Sequence, residues 1–480
     1  MDRVLTINKN LKLFLITSFL ALVGGYLYVI ALGTGFRAFI LIHGGILFFA
    51  GVAIFLRNIK PFLIFSTLFA IALGYGRHFV YQKLPFESVL YSAGIRLDGS
   101  ELILIICYLH WFISSIGSQD VKKSLTIGGK IGAVFLAWIT YVFLSSFLTA
   151  TREDYSLYEV LVYVKGFFLY FYLVNNIKDK NYLKLMVFAL FAACVIQSLY
   201  MIFQYITKTS YTINGDWIPY VGAEGFRSRG FFGSPDAHAT FLATLFPMMF
   251  LALFFMQDLF KKAAIFSAMV IVLAAIICSK VRIAFASIGI GVSVAVLISY
   301  ARGWLSQNQI AGSIVGGVLG VLIIIPFVYA RFAYGIYGED RWPLVVTAYN
   351  MFEANILFGV GANNYNFVVQ KYIPPSMTTA WLFTVHDEYL LRIAETGFLG
   401  FCFYYYLIWT VTREFYRGMA TKSSLLFMVS CGLFSALVGS FFHRFVSMYH
   451  YQQVYLLHCA VYAMAVIVNE LRKAEPSGPT

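Results

Sequence analysis

The chain has 480 residues, of which 60% are hydrophobic, 18% aromatic and only 12% charged. A soluble domain is about one quarter charged, so the polar coat that a water-soluble fold of this size needs is missing. The formal charge of +13 would suggest a nucleic-acid partner in a soluble protein; in so apolar a chain it points to basic residues marking one side of a bilayer, and no nucleic-acid partner is expected.

Arg3, Lys9 and Lys12 precede the first apolar stretch. That stretch is about 20 residues long, enough to span a membrane. It resembles a signal peptide but lacks a small-x-small cleavage site, so an uncleaved first helix is expected. Fourteen spans are predicted, near 13–34, 38–56, 61–76, 101–117, 130–149, 157–177, 183–206, 237–257, 263–279, 282–300, 309–330, 388–411, 424–442 and 451–469. The third is short and the ninth and tenth nearly touch, so the range is 12–14. Ten-residue alternating segments of a membrane barrel are absent. The expected fold class is therefore all-α: a polytopic membrane protein with about 14 transmembrane helices in a single domain, 1–480, ending in a short disordered tail, 474–480.

With fourteen spans both termini share a side. If that side is cytoplasmic, its segments hold 19 basic residues against seven acidic ones, while the opposite side is nearly neutral. This is the pattern of a multi-pass protein with both termini in the cytoplasm. Three outer segments exceed a tight turn: 77–100, 207–236 and 331–387. Long loops without a domain of their own tend to carry function. No internal repeat of the kind seen in many transporters is visible. The six cysteines lie in apolar runs without metal or disulfide spacing, as packing residues do.

Four outer stretches carry candidate chemistry. The first is Arg227-Ser228-Arg229-Gly230-Phe231-Phe232-Gly233-Ser234-Pro235-Asp236-Ala237-His238, running into the eighth span. Arg227 and Arg229 beside a helix start suit an anion, since guanidinium forks and helix-start amides both recognise phosphate oxygens; lipid headgroups are the alternative ligand. Ser279-Lys280-Val281-Arg282 follows at a hairpin tip, where Lys280 and Arg282 face either an anionic ligand or headgroups. In the long loop, Glu339-Asp340-Arg341-Trp342 leads into Pro343 and a helical stretch, then Phe358-Gly359-Val360-Gly361-Ala362-Asn363-Asn364. Two glycines without a preceding strand read as a structural turn, with no dinucleotide site.

The fourth stretch is His386-Asp387-Glu388-Tyr389-Leu390. His386 titrates near neutrality and can take a proton from an attacking hydroxyl, or it is simply an interfacial histidine. Glu388, Arg392 and Glu395 fall on one helical face, and charges inside a bilayer normally face the bundle in pairs, so this stripe is expected to support the helix. Lys165, inside the sixth span, is a further buried charge with no assigned partner, and His443, Arg444 and His450 form a smaller outer group. No converging metal ligands and no Asp-x-Asp pair are present, so chemistry without metal or cofactor is expected.

The order of these motifs resembles the O-antigen ligase/polymerase superfamily of bacterial envelope glycosyltransferases. An outer Arg229-x-Phe-Phe-type turn enters a helix at Pro235; Arg282, Arg341-Trp342 and Phe358-Gly359-Val360-Gly361 follow; last comes His386-Asp387-Glu388-Tyr389-Leu390 running to Glu395, Gly397 and Gly400. The resemblance covers about 225–410, and Asp387 and Asp236 stand where the family often has Asn. It implies a GT-C-like transferase of the bacterial inner membrane with its active site facing the periplasm. The donor it implies is an undecaprenyl-diphosphate-linked oligosaccharide, and the acceptor a glycan hydroxyl or lipid A-core. The implied roles are His386 as base, Arg229 and Arg341 as pyrophosphate clamps, Arg227 and Arg282 as secondary clamps, and Asp387, Glu388, Arg392 and Glu395 as support. A repeat-unit polymerase, with a chain-length regulator as a candidate partner, is the leading activity. Ligation of the chain to lipid A-core or protein is the alternative within the class. A flippase or transporter of an anionic lipid-linked glycan is the alternative outside it.

Overall fold

A computed structural model describes residues 59–74, 76–81, 94–115, 125–208, 221–222, 225–318, 322, 341–374, 384–447 and 451–475. The spans expected at 13–34 and 38–56, His450 and residues 476–480 lie outside them. The described helices are α1 Lys60–Leu73, α2 Gly99–Ser115, α3 Gly129–Thr149, α4 Glu153–Asn176, α5 Lys180–Thr207, α6 Pro235–Phe255, α7 Leu259–Ser279, α8 Arg282–Ala301, α9 307–318, α10 Arg341–Ala354, α11 Tyr365–Val368, α12 Glu388–Gly418, α13 Ser424–Arg444 and α14 Gln452–Lys473. The chain is an all-α polytopic membrane protein in its main architecture. Among the described residues, eight helices (α3 to α8, α13 and α14) are long and apolar enough to cross a membrane.

Two compact units divide the chain. One contains residues 1–66 and 103–125; the other contains 67–102 and 126–480. In the larger unit α6, α13 and α14 are the central helices, with 78%, 72% and 83% of their apolar windows buried, against 33% and 39% for α7 and α8. α13 packs on α6, α8 and α12, α14 packs on α4 and α12, and α3 packs on α4 and α12. Close approaches between these helices run through glycine. A side chain at Gly432 of α13 would stand 2.5 Å from the Met248 Cα of α6, and one at Gly439 would stand 2.3 Å from the Ser287 carbonyl of α8. Small residues at such seams let backbones approach and gain van der Waals contact, the main source of helix association in lipid.

Helix starts follow from local chemistry. Asp179, Asp258 and Asp387 each accept two backbone amides at the starts of α5, α7 and α12. Ser234 accepts the Ala237 amide at the start of α6, with Pro235 in the first turn. These side chains satisfy amides that have no partner inside the helix. α7 ends on Lys280 in the left-handed conformation, φ 58°, so α8 begins two residues later.

Three features depart from the sequence reading. First, the segment 77–100 holds an antiparallel hairpin, β1 Gly76–Tyr81 with β2 Gly94–Asp98, whose register slips between His78 and Val80. A shorter pair, β3 Val221–Gly222 with β4 Gly225–Phe226, lies before the arginine stretch. Strands this short leave no run of alternation long enough to read. Second, beyond the helical stretch expected after Pro343, the long loop holds α11 and shares a small core with the start of α12, including Leu344, Met351, Tyr365, Val369 and Leu391. Third, the span expected at 388–411 extends to Gly418 and is broken at Gly397, φ 64° and ψ −175°.

Candidate active site at one end of the bundle

The arginine stretch folds as a turn pinned on three sides. From α5, Gln204 accepts the amides of Arg229 (3.1 Å) and Gly230 (2.7 Å). From the end of α7, the Cys278 carbonyl accepts the Ser228 amide at 3.1 Å and the Ser279 carbonyl accepts the Arg227 Nε–H at 3.0 Å. From α6, His238 Nε2 accepts the Phe232 amide at 3.2 Å, and its Nδ1 lies 2.9 Å from the Ser234 carbonyl. A carbonyl only accepts, so Nδ1 carries the proton and His238 is a neutral ring locked in one tautomer. Phe232 stacks on that ring at 4.1 Å and Phe231 stacks on Tyr200 at 4.0 Å. His238 therefore shapes the turn, a role the sequence left unassigned.

Contacts between helix ends bring the other stretches to the same end. Arg227 reaches the tip that carries Lys280 and Arg282. Tyr451, just before α14, hydrogen-bonds Ser234 and has Asp236, Arg227 and Arg229 within electrostatic reach. Thr240 on α6 lies 3.5 Å from His443 Nε2 at the end of α13. Tyr389, in the first turn of α12, donates to the Phe441 carbonyl at 2.9 Å, and its ring centroid lies 4.5 Å from that of Phe445. The end of α13 thus stands between the arginine turn and the helix start that follows His386.

His386 is exposed, and its Nδ1 lies 3.1 Å from the Thr384 carbonyl. A carbonyl only accepts, so Nδ1 carries a proton, and in the neutral form of the ring Nε2 is the nitrogen that can accept one. Asp387 accepts the Tyr389 and Leu390 amides at 2.8 and 3.0 Å. Burial pushes its carboxyl above the ordinary value, against the opposing pull of those two amides. Arg341 is the first residue of α10; its side chain lies outside the described residues.

Beneath His386 the stripe of charge is buried. Glu388 accepts Arg392 Nε–H at 2.9 Å, and Arg392 donates to the Tyr163 hydroxyl of α4. The Arg392 guanidinium also lies over the Tyr404 ring at 4.8 Å. Tyr163 hydrogen-bonds Glu159, one turn earlier on α4. Arg444, buried at the end of α13, donates to the Tyr404 hydroxyl at 3.1 Å. Arg444 belongs to the smaller group named in the sequence, while Glu159 was passed over; a buried charge near a span end is the signal that marks it.

The broken helix and the glycine motif of the long loop interlock. The Val360 and Gly361 amides donate to the Ala394 and Glu395 carbonyls at 3.0 and 2.9 Å, and the Phe398 amide donates to the Ile356 carbonyl at 2.7 Å. Tyr141 of α3 donates to the Thr396 carbonyl at 2.7 Å and reaches the Leu357 carbonyl at 3.2 Å. The backbone groups that the break releases are thus paired, as a low-dielectric setting requires. Side chains at Gly359 or Gly397 would stand 2.4 Å from the opposing backbone. Asn364 then ties the loop to α4, accepting the Arg152 amide at 2.8 Å and donating to the Ser156 hydroxyl at 2.8 Å.

A second polar network, absent from the sequence reading, binds the β1–β2 hairpin to the same end. Arg96 pairs with Asp98 at 2.7 Å, and Lys165 finds its partner in Glu101 at 3.2 Å. Gln453 donates to Asp98 at 3.1 Å and Gln452 to Glu101 at 2.6 Å. Burial pushes the Asp98 carboxyl upward, against the pull of Arg96 and Lys165. No family model and no curated protein matches the chain.

Proposed function

We propose that the protein is a membrane glycosyltransferase that uses an undecaprenyl-diphosphate-linked glycan as donor and a sugar hydroxyl as acceptor. Repeat-unit polymerisation at the periplasmic face of a bacterial inner membrane is the leading activity. The observation that carries this reading is the meeting of two elements around one end of α13. One is a rigid turn carrying Arg227 and Arg229. The other is the helix start preceded by the exposed His386, whose Nδ1 faces the Thr384 carbonyl. An anion grip and a general base at the same end of a bundle are the equipment that inverting transfer from a pyrophosphate requires.

The reaction on this reading is a single displacement. The acceptor oxygen attacks the anomeric carbon as its proton passes to His386 Nε2. The bond from that carbon to the diphosphate oxygen breaks, and the electron pair leaves with undecaprenyl diphosphate. Arg229 and Arg341, with Arg227 and Arg282 in support, stabilise the charge that develops on the leaving group. The Glu388–Arg392–Tyr163–Glu159 chain holds the first half of α12, and hence His386, in place.

Replacing His386 by Ala tests the reading in cells. At normal membrane levels, His386→Ala is expected to reduce polymer laddering in a deletion strain by about 100-fold or more. Undiminished laddering removes His386 from the chemistry. A shift from laddering to loss of attachment of the finished chain would favour the ligase within the same class.

A further inference from the structure

We infer that Gln204 is the positioning residue of the arginine turn, fixing the backbone from which Arg229 addresses an anionic diphosphate; this rests on the function proposed above. Gln204 sits in the last turn of α5 and is 2% exposed. Its single Oε1 accepts two successive amides, Arg229 at 3.1 Å and Gly230 at 2.7 Å, and its Nε2 faces the Gly230 carbonyl at 3.4 Å. A side-chain amide supplies a two-lone-pair acceptor and a separate N–H donor without charge, and a buried carboxylate here would compete with the ligand for the guanidinium.

The opposite face of the turn is equally fixed. Gly230 has φ 55°, and a side chain there would stand 2.3 Å from His238 Nε2, so the imidazole packs directly on the glycine. Ser228 is buried, with its amide on the Cys278 carbonyl and its hydroxyl on the Met201 carbonyl at 2.8 Å. The amides of residues 228, 229, 230 and 232 are therefore all committed to neighbouring helices. A backbone held in this way spends little ordering entropy when the guanidinium takes its ligand, which is how preorganisation raises affinity. Gln204 touches no ligand in this scheme; it acts through Arg229.

A double-mutant cycle tests the inference on full-length protein in lipid nanodiscs, titrated calorimetrically with inorganic pyrophosphate. Gln204→Met keeps the volume and removes the hydrogen bonds. Gln204→Met and Arg229→Ala are each expected to weaken binding by about tenfold or more, with the double variant no weaker than Arg229→Ala alone, because residues acting as one unit are not additive. Should Gln204→Met fail to accumulate, Gln204→Asn carries the same cycle; it keeps the amide but withdraws it by one methylene, and an intermediate loss is expected. Additive losses, or wild-type affinity in the Gln204 variant while Arg229→Ala is impaired, overturn the positioning role and leave the proposed function standing. Absence of pyrophosphate binding in wild type, or an Arg229→Ala variant equal to wild type, overturns both.

Discussion

Asp387 shows how one residue can serve architecture beside a reactive neighbour. Its carboxylate caps α12 through two amides, and burial raises its proton affinity. A carboxyl whose folded pKa lies above its unfolded one contributes stability that is complete below the unfolded value. That contribution disappears as pH rises through the folded value. At neutral pH the charged cap is therefore a cost, and Asn, which caps about as well, removes it. Asp387→Asn is expected to melt at or above the wild-type temperature at pH 7, the difference vanishing as pH falls toward about 4. Asp387→Ala is expected to lose about 1 kcal/mol near pH 4 and less at pH 7, where the charged cap is itself a cost. A lower melting temperature for the Asn variant at pH 7 would contradict this. The Glu388–Arg392 pair was legible from its i, i+4 spacing. The Lys165–Glu101 pair was not, because its members sit on different helices and meet only when those helices pack.

At the scale of elements, the sequence motifs of the second half turn out to be interlocking parts. Phe358-Gly359-Val360-Gly361 read as a turn, and a turn it is, but its partner was hidden. The break at Gly397 looks in sequence like ordinary helix, and only the loop amides laid against Ala394 and Glu395 reveal why glycine stands there. Gly359→Ala and Gly397→Ala are each expected to cost about 1–3 kcal/mol from positive φ alone, with the backbone overlap adding to it. Gly316→Ala, in α9 with open space around it, is expected to be neutral or stabilising by up to about 1 kcal/mol. Thermal unfolding of the three variants in detergent checks this; equal melting temperatures would mean that the interlock contributes nothing. The β1–β2 hairpin escaped the sequence because its five- and six-residue strands hold their place through side-chain bonds to α4 and α14, not through a readable pattern.

Across the whole molecule, apolar length located the membrane helices well, since a span must be about 20 residues long whatever its neighbours do. Within the described residues the helices found near 130–149, 157–177, 183–206, 237–257, 263–279, 282–300, 424–442 and 451–469 match within a few residues. What pattern alone did not convey is convergence: which helix ends meet depends on packing partners far apart in the chain, such as Thr240 with His443 or Gln453 with Asp98. The buried carboxylates and guanidiniums that could serve chemistry gather toward one end, around Glu159, Glu388, Arg392 and Arg444. On the proposed function, that placement suits chemistry at a membrane face. The most direct measurement is to incubate purified protein in nanodiscs with undecaprenyl-diphosphate-linked oligosaccharide and no nucleotide sugar, and to follow the lipid by mass spectrometry. The account predicts release of undecaprenyl diphosphate together with a lengthened glycan, and loss of both in His386→Ala and Arg229→Lys. Donor recovered intact, or merely moved between leaflets of a sealed vesicle, would contradict it.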